Sequence, residues 1–475
     1  MKCLKTLISV LLLSMIFDGG GVSTLLAQSK KQKVKKQPRV EVPATWATQP
    51  AEGVSSEVAQ LKEWWKNFRD SNLDKLVEEA LIANGDLKIA EARVNEVRAL
   101  RGVANSARYP TVEQTDVIAR RRTVLQTPNS TGAVESGLFQ IGFDANWELD
   151  FFGGVRNSVK AATAEVQAAE ESRRDAMVIL VAEVARNYIA LRGYQRQLDV
   201  TRSNIATQRD TRDLTSVRAK AGLATELDVT RAEAQLAFTE AAVPELEALI
   251  ANTTHRIAVL LGKPPGALLA ELQTAKPIPP TAPTITVGLP SELLRRRPDI
   301  RRAEAEIVAE TARLGVAKSE LYPKFELSGL LGRTASSPGG LTLGLGNFFF
   351  GGVGIRIPIF NHGRIRSNIK AEDARLDQAI LLYENTLRRS LEEVENSLTS
   401  YEREREQRTQ LEKAVASNRR SVELSRELYV AGLSDFLSVL EAQNALYDSE
   451  NQLAQSEAAV AINLVALYKA LGGGW

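Results

Sequence analysis

Residues 138–154, LFQIGFDANWELDFFGG, decide the fold class of this chain. Over residues 138–150 the side chains alternate strictly between apolar and polar, as in a strand with one apolar and one polar face. The apolar positions are Phe139, Ile141, Phe143, Ala145, Trp147 and Leu149. The polar side of the alternation holds Gln140, Gly142, Asp144, Asn146, Glu148 and Asp150. Two glycines, Gly153 and Gly154, end the stretch.

A very long helix is predicted directly after these glycines. No proline or glycine interrupts residues 155–192, and apolar residues recur at every seventh position. These heptad positions are Met177, Val184, Leu191, Leu198 and Ile205. A helix over residues 156–219 would be roughly 95 Å long, more than a globular core can house. The heptad therefore predicts a packing seam for other long helices, and a membrane-type strand joined to such a helix suggests a conduit.

The composition excludes several classes of protein. The 60 Lys and Arg residues nearly balance the 58 Asp and Glu residues, so nothing argues for a nucleic-acid partner. One Cys and two His residues exclude a disulfide framework and a Cys/His-rich metal site. His255 and His362 lie far apart without ligand spacing, and the many carboxylates are typical of solvated helix faces. We therefore expect no cofactor and no catalytic activity.

The N-terminus has the pattern of a secretory signal peptide. Lys2 and Lys5 precede an apolar run over residues 7–17, and small residues lead to a cleavage site after Ala27. Residues 1–27 are too short to remain as a membrane anchor, and no later stretch is apolar enough for a transmembrane helix. Residues 28–70 are predicted to be a linker, whose basic run over residues 30–36 is either solvated or in contact with anionic lipid.

The chain contains an internal repeat, although its length of 475 residues alone would suggest about three domains. Each repeat is predicted as helix, β-hairpin, long helix and helix. The first covers residues 71–262 with a hairpin over 111–150, and the second covers 291–475 with a hairpin over 324–359. A proline-rich connector, residues 263–290, lies between them.

Some element boundaries can also be predicted. The first helix is expected to start from a cap at Ser71 or Asn72 and to run to about Arg108, before Pro110. Within the first hairpin, residues 125–137 are rich in turn formers and are predicted to be a surface loop. The last strand of the second hairpin is expected over residues 349–359.

Four strands per chain cannot close a barrel, whose smallest common form has about eight, and open strand edges are not tolerated in lipid. The chain must therefore oligomerise if these strands enter a membrane. The polar strand face would then line water, as in a pore. The predicted lumen residues are Asp144, Asn146, Glu148 and Asp150.

Several motifs resemble those of the TolC-like outer-membrane efflux proteins. They are the ELD strand end at residues 148–150, the LRRRPDI run at 294–300, two Ala-Gly-Leu turns at 221–223 and 431–433, and the terminal ALGGGW. More narrowly, the chain resembles the NodT branch, which serves resistance–nodulation–division exporters, over residues 44–475. The resemblance implies a trimer in which twelve strands form an outer-membrane barrel and twelve helices form a periplasmic α-barrel. An equatorial girdle would hold the proline-rich connector and the chain ends.

The function implied by this resemblance is that of an exit duct in a tripartite efflux pump. The homotrimer would sit in outer-membrane lipid with a long periplasmic extension. It would passively conduct small toxic compounds delivered by a periplasmic adaptor protein and an inner-membrane resistance–nodulation–division transporter. Type I protein secretion and metal-ion efflux remain alternatives within the same class. A non-pore coiled-coil structural protein is a third reading, which explains the heptads but not the signal peptide or the hairpins.

The chain departs from the NodT branch in one respect. Many members carry a lipidated Cys at the cleavage site, whereas the sole Cys here is Cys3, inside the charged start of the signal. We therefore expect a mature protein that begins near Gln28 and carries no lipid. The intact mass of the membrane-extracted protein tests this expectation.

The LRRRPD run has two interpretations. Its arginines could bind phosphate or dock a partner. Alternatively, the run starts a helix, with Pro298 in the first turn, Asp299 beside the positive helix end, and the arginines solvated or paired within the girdle. We favour the helix start.

The two Ala-Gly-Leu turns are predicted to be the periplasmic tips. Gly222 and Gly432 interrupt heptads where a tight reversal favours a residue without Cβ. The family resemblance implies that the tips, including Leu223 and Leu433, contact the adaptor and close the tunnel. It also makes gate candidates of Asp228, Tyr429 and Glu441. Asp228 could instead complete a capping box with Thr225, and Tyr429 could simply be packed. Glu441 differs in charge from Arg231, the equivalent residue of the first repeat.

Overall fold

The computed structural model describes residues 42–47, 54–55, 61–127, 130–281, 285–342 and 346–475. The signal peptide predicted for residues 1–27, its cleavage site, Cys3 and the basic run over residues 30–36 lie outside the described residues.

The two halves of the chain have the same order of long elements. The first half contains β1 (Val54–Ser55), α1 (Ser71–Ala83), α2 (Gly85–Ser106), β2 (Thr111–Thr127), β3 (Ser130–Leu149), α3 (Gly154–Lys220) and α4 (Glu226–Leu260). The connector contains α5 (Leu269–Leu272), β4 (Ile285–Thr286) and α6 (Leu293–Arg296). The second half contains α7 (Pro298–Ser319), β5 (Lys324–Ala335), α8 (Pro338–Thr342), β6 (Asn347–Arg356), α9 (Arg364–Val430) and α10 (Phe436–Ala470).

Helices α3 and α9 dominate the fold. Each has 67 residues, which corresponds to about 100 Å, and each is followed by an antiparallel helix of 35 residues. The heptad predicted for α3 is confirmed: Val184, Leu191, Leu198 and Ile205 are buried and Met177 is partly buried. Helix α3 packs against α4, α7 and α10, and α9 packs against α10 and α7. Among the helices of the described residues, none is both long and apolar enough to cross a bilayer.

The start of the first half differs from the prediction. The helix expected from residue 71 to about Arg108 is divided into α1 and α2 at Asn84. The Asn84 side chain accepts a hydrogen bond from the Leu87 backbone N–H and donates one to the Leu260 carbonyl, so it caps α2 and holds the end of α4. The cap of α1 is Asp70, not Ser71 or Asn72, because the Asp70 carboxylate accepts from the backbone N–H groups of Asn72 and Leu73.

The predicted loop over residues 125–137 was also wrong. Strands β2 and β3 pair without a break from Thr111–Asn146 to Thr127–Ser130, so only residues 128–129 lie between them. Strand pairing uses backbone groups, which the turn-forming side chains of this segment do not remove. In the second hairpin, β6 ends at Arg356 rather than at residue 359. Pro358 lacks the N–H group that would continue the ladder.

The four long strands form one antiparallel sheet in the order β2-β3-β5-β6. Directly opposite residues share a face, which places Phe143, Leu331 and Phe349 in one row. These three side chains are 53%, 62% and 85% exposed, so the apolar face has no partner within the described protomer. The opposite face carries Asp144 and the row that joins Glu148 to Glu326. The outer strands β2 and β6 each have one unpaired edge within the described residues.

The main hydrophobic core lies where the chain ends meet the long helices. The ring of Trp64 is fully buried, stacks on Tyr468 at 5.1 Å and contacts Trp65 and Phe68 edge to face. The C-terminal residues close this core: the Gly474 N–H donates to the Leu61 carbonyl. The short parallel pair β1–β4 joins the N-terminal segment to the connector.

We expect Gly193→Ala to destabilise the protein through the contact between α3 and α10. A Cβ at Gly193 would lie 2.7 Å from the Cβ of Ala458, and neither methyl group can rotate away. Overpacking of this kind costs about 1–3 kcal/mol. The apparent midpoint of thermal unfolding, followed by far-ultraviolet circular dichroism, should be lower than in a Gly→Ala variant of a helix position without this contact.

Gly102→Ala is the matched control, because Gly102 also lies inside a helix but has no atom within 4 Å of a new Cβ. Both variants gain the same helix propensity, about 1 kcal/mol. The midpoint should therefore rise in Gly102→Ala. Equal midpoints for the two variants would show that a Cβ at Gly193 does not destabilise the contact between α3 and α10.

Candidate functional site

Two turns reverse the chain at the far ends of the long helices. Gly222 and Gly432 adopt left-handed backbone conformations, with φ of 72° and 73°. The Leu223 N–H donates to the Arg218 carbonyl at 2.8 Å, and the Leu433 N–H donates to the Leu428 carbonyl at 2.9 Å. This bond closes the helix in the Schellman pattern, which favours glycine. Leu223 and Leu433 are 66% and 76% exposed, so each tip presents an apolar side chain to its surroundings.

The helices that return from the tips are capped by related pairs. Thr225 and Asp228 form a capping box, in which the Thr225 N–H and hydroxyl both donate to the Asp228 carboxylate. At the repeat-equivalent positions the carboxylate comes first: the Ser438 N–H and hydroxyl donate to Asp435. These hydrogen bonds lower the pKa of the Asp435 carboxyl. The Asp228 carboxylate is thus held by its own helix start, and its role in a gate stays a prediction.

Tyr429 joins the two tips of one protomer. Its ring is 5% exposed and packs with Phe436, Ala232 and Val439. The guanidinium of Arg218, at the end of α3, lies 4.7 Å from the centre of this ring. Arg218 also donates from Nη1 to the Val430 carbonyl at 3.1 Å.

The sequence analysis missed Arg218. The equivalent residue of the second repeat is Leu428, so the two halves differ in charge at this position, as they do at Arg231 and Glu441. Glu441 and Arg231 are both exposed, on α10 and α4, and Glu441 has no ion pair within the described part of the chain. Whether Glu441 faces the axis of an assembly stays a prediction.

The predicted lumen residues fall into two groups. Asp144, Asn146 and Glu148 lie on one face of β3, and the Lys324 Nζ lies 3.7 Å from the Glu148 carboxylate. Asp150 lies beyond the end of β3 and serves the start of α3. Its carboxylate accepts from the backbone N–H groups of Val155 and Arg156 and from the Arg156 side chain.

Pro298 and Asp299 of the LRRRPD run begin helix α7, as the favoured interpretation predicted, whereas residues 294–296 lie in α6. Pro298 is the first residue of α7, and the Arg297 side chain is only 10% exposed. Arg297 donates two hydrogen bonds to the Asp299 carboxylate, one to Glu393 and one to the Ala470 carbonyl. Burial alone would lower the pKa of the guanidinium, but the bonds and charges of Asp299 and Glu393 raise it. Arg297 therefore ties the start of α7 to the end of α10.

The C-terminal Trp475 lies beside this junction. The guanidinium groups of Arg174 and Arg301 lie 4.9 Å and 5.1 Å from its ring. Its indole N–H donates to the Arg296 carbonyl at 3.2 Å. The C-terminal residue is thus held against α3, α6 and α7, between the sheet and the tips.

No cluster of His, Cys, Asp or Glu able to hold a metal ion is present among the described residues. A sheet with one apolar and one polar face, continued by helices of about 100 Å that end in exposed turns, instead defines a membrane conduit.

Comparisons with known proteins agree with a membrane conduit. Residues 76–263 and 289–473 match the family described as Outer membrane efflux protein. The chain is 30% identical to Nodulation protein T of Rhizobium leguminosarum bv. viciae over 87% of this chain and 84% of that protein. It is 32% identical to the pyoverdine export outer membrane protein OpmQ of Pseudomonas aeruginosa over 88% and 89% of the two chains. The solved structure of the outer-membrane channel OprN aligns with a TM-score of 0.85 at 34% identity, covering 92% of this chain and 99% of that one.

The chain therefore belongs to the outer membrane efflux protein family. It is an outer-membrane exit duct of an efflux system, with a helical part that extends into the periplasm. The predicted TolC-like fold class, the resemblance to the NodT branch and the outer-membrane location are confirmed. The family is one of transport ducts.

Proposed function

We propose that three copies of this chain form one duct, which carries small toxic compounds out of the cell as the last part of a tripartite pump. The observation that carries this proposal is the four-stranded sheet, with its exposed apolar face and its two unpaired edges within the described residues. Edges in lipid must be paired, and three such sheets joined from β6 to β2 give twelve strands and no free edge.

The position of the tips supports an adaptor and a transporter as partners. Each tip lies about 100 Å from the sheet end of its long helix and exposes a leucine beside a glycine in the left-handed conformation. A periplasmic adaptor that contacts Leu223 and Leu433 would connect the duct to an inner-membrane resistance–nodulation–division transporter. Relatives are named for export of pyoverdine, solvents, toluene and antibiotics, which supports small molecules rather than proteins as cargo.

Two measurements test the proposal. Light scattering of the detergent-solubilised protein should give the mass of three chains, and a stable monomer would contradict the closed barrel. Deletion of the gene, with adaptor and transporter intact, should raise susceptibility to a panel of drugs, detergents and metals. A change confined to metals would favour metal-ion efflux, and no change in any compound would argue against efflux.

We expect Glu441→Gln to lower cation selectivity in planar-bilayer recordings. Three exposed carboxylates brought together by three-fold symmetry would favour cations and repel anions. Arg231→Gln is the matched control, because Arg231 is also exposed and lies at the equivalent position of the first repeat. That variant should not lower cation selectivity. Unchanged selectivity in Glu441→Gln would place Glu441 away from the axis.

The same recordings test the other gate candidates. Asp228→Ala or Tyr429→Phe should raise the resting conductance if these groups tie neighbouring tip helices together. Asp228 already serves a capping box, and the Tyr429 hydroxyl is buried without a hydrogen-bond partner among the described residues. If both variants conduct like wild type, each side chain acts only within its own protomer.

A further inference from the structure

An open depression of about 520 Å³ lies where the sheet meets the long helices of the first half. It lies between the turn after α2, the end of β3 and the first turn of α3. Arg108, Trp147, Phe151 and Arg156 are among its lining residues. The Trp147 indole N–H donates to the Arg108 carbonyl at 3.0 Å, which fixes the turn against the strand.

Exposed aromatic side chains line this depression or are adjacent in the chain to residues that line it. Tyr109 and Phe151 are 64% and 63% exposed, and Phe152 stacks on Tyr322 at 4.7 Å. Aromatic residues with exposed rings concentrate at the boundary between membrane and water, at the level of the lipid headgroups. Trp147 belongs to the apolar face of the sheet, opposite Leu327. Trp147 therefore places one wall of the depression on the apolar face of the sheet, at the end where the long helices begin, and Glu148 and Asp150 form the polar wall.

The depression holds two arginines, and one of them has no charge partner within the described residues. The Arg108 guanidinium has no hydrogen bond or ion pair within the described residues, and the Arg108 side chain is exposed. Arg156 uses Nε and Nη2 for Asp150 and two backbone carbonyls, while its side chain remains 65% exposed. The two acidic residues of the lining are already engaged, Asp150 by Arg156 and the start of α3 and Glu148 by Lys324.

We propose that this depression binds the headgroup phosphate of an anionic phospholipid of the periplasmic leaflet. Arg108 and Arg156 donate N–H groups to the phosphate oxygens, and Trp147 and Phe151 pack against the glycerol and the first acyl carbons. A lipid fits better than free phosphate, because the apolar wall of the depression continues into the exposed apolar face of the sheet. The proposal rests on the outer-membrane location and not on the identity of the pump partners.

The second repeat lacks this site. The positions equivalent to Arg108 and Asp150 are Leu321 and Phe360, which are 48% and 84% exposed. Neither can donate to or orient a phosphate group. We therefore assign one lipid to each chain.

Native mass spectrometry of the detergent-solubilised protein tests the proposal. Equimolar dioleoylphosphatidylglycerol and dioleoylphosphatidylcholine are added, and the lipids retained on collisional activation are counted. Wild type should retain one phosphatidylglycerol per chain in preference to phosphatidylcholine. Arg108→Gln should retain about fivefold less phosphatidylglycerol, as expected for the loss of one arginine near an anionic headgroup.

Arg101→Gln is the matched control, since Arg101 is exposed on α2, two turns before Arg108. It should retain as much lipid as wild type. The proposal is overturned if Arg108→Gln binds like wild type, if Arg101→Gln loses as much, or if wild type does not discriminate between the two lipids. Displacement of phosphatidylglycerol by inorganic phosphate would show a free-phosphate site and would also overturn it.

Discussion

Arg297→Ala should lower the free energy of local opening at the junction between the start of α7 and the end of α10 by about 3 kcal/mol. The substitution leaves the Asp299 carboxylate without its two-pronged partner and frees the Ala470 carbonyl in a buried position. We take the lower end of the usual range for a broken buried pair, because Glu393, the second carboxylate, is 57% exposed. Hydrogen exchange followed by mass spectrometry should show this local opening, with exchange at the end of α10 about a hundredfold faster.

Two further variants separate charge from geometry at this position. Arg297→Lys keeps the positive charge but cannot donate two parallel hydrogen bonds to Asp299, so its exchange should be intermediate. Arg295→Ala removes an exposed arginine of the same run and should leave exchange unchanged. If Arg297→Ala exchanges like Arg295→Ala, the buried hydrogen bonds of Arg297 do not hold the chain ends.

Leucine at both Gly222 and Gly432 should abolish export and leave the assembly intact. A Cβ in the left-handed conformation costs about 1–2 kcal/mol per residue, so the turns must rearrange. No atom lies within 4 Å of either new Cβ, so the strain stays local. Rearranged turns would displace Leu223 and Leu433, the side chains proposed to contact the adaptor. Co-purification of the adaptor should be lost, and drug susceptibility should reach the level of the gene deletion.

Asparagine at the same two positions is the matched control, because it tolerates the left-handed conformation. That variant should retain adaptor binding and export. Light scattering should give the same mass for both variants. Export at wild-type level by the leucine variant would show that the turns do not contact the adaptor.

The periodic parts of the structure could be predicted because the period of apolar residues indicates which face of a helix or strand is buried. A two-residue period over residues 138–149 predicted the later part of β3, and a seven-residue period predicted the buried seam of α3. The turns at Gly222 and Gly432 could also be predicted, since few residues other than glycine adopt their backbone conformation. The break at Asn84 could have been found as well, because Asn84-Gly85 is a recognised turn pair.

Errors in the prediction arose where backbone pairing or a distant contact decided the outcome. The segment over residues 125–137 has the side chains of a loop, yet its backbone groups find partners across the hairpin. Arg218 and Val430 are 212 residues apart in the chain, and Arg297 and Ala470 are 173 apart. No local sequence pattern identifies such pairs, because Arg218 and Arg297 look the same in the sequence as the exposed arginines near them.

Periodic patterning thus predicted the long helices, the faces of the later part of β3 and the turns at Gly222 and Gly432, and the family motifs predicted the fold class. The roles of the charged residues depended on tertiary contacts. Arg297 forms buried hydrogen bonds, the Arg218 guanidinium lies over the Tyr429 ring, Asp150 pairs with Arg156, and Arg108 has no partner in the described part of the chain. The physical reason is that periodicity depends on neighbours in the chain, whereas the environment of a charge depends on which distant elements pack around it.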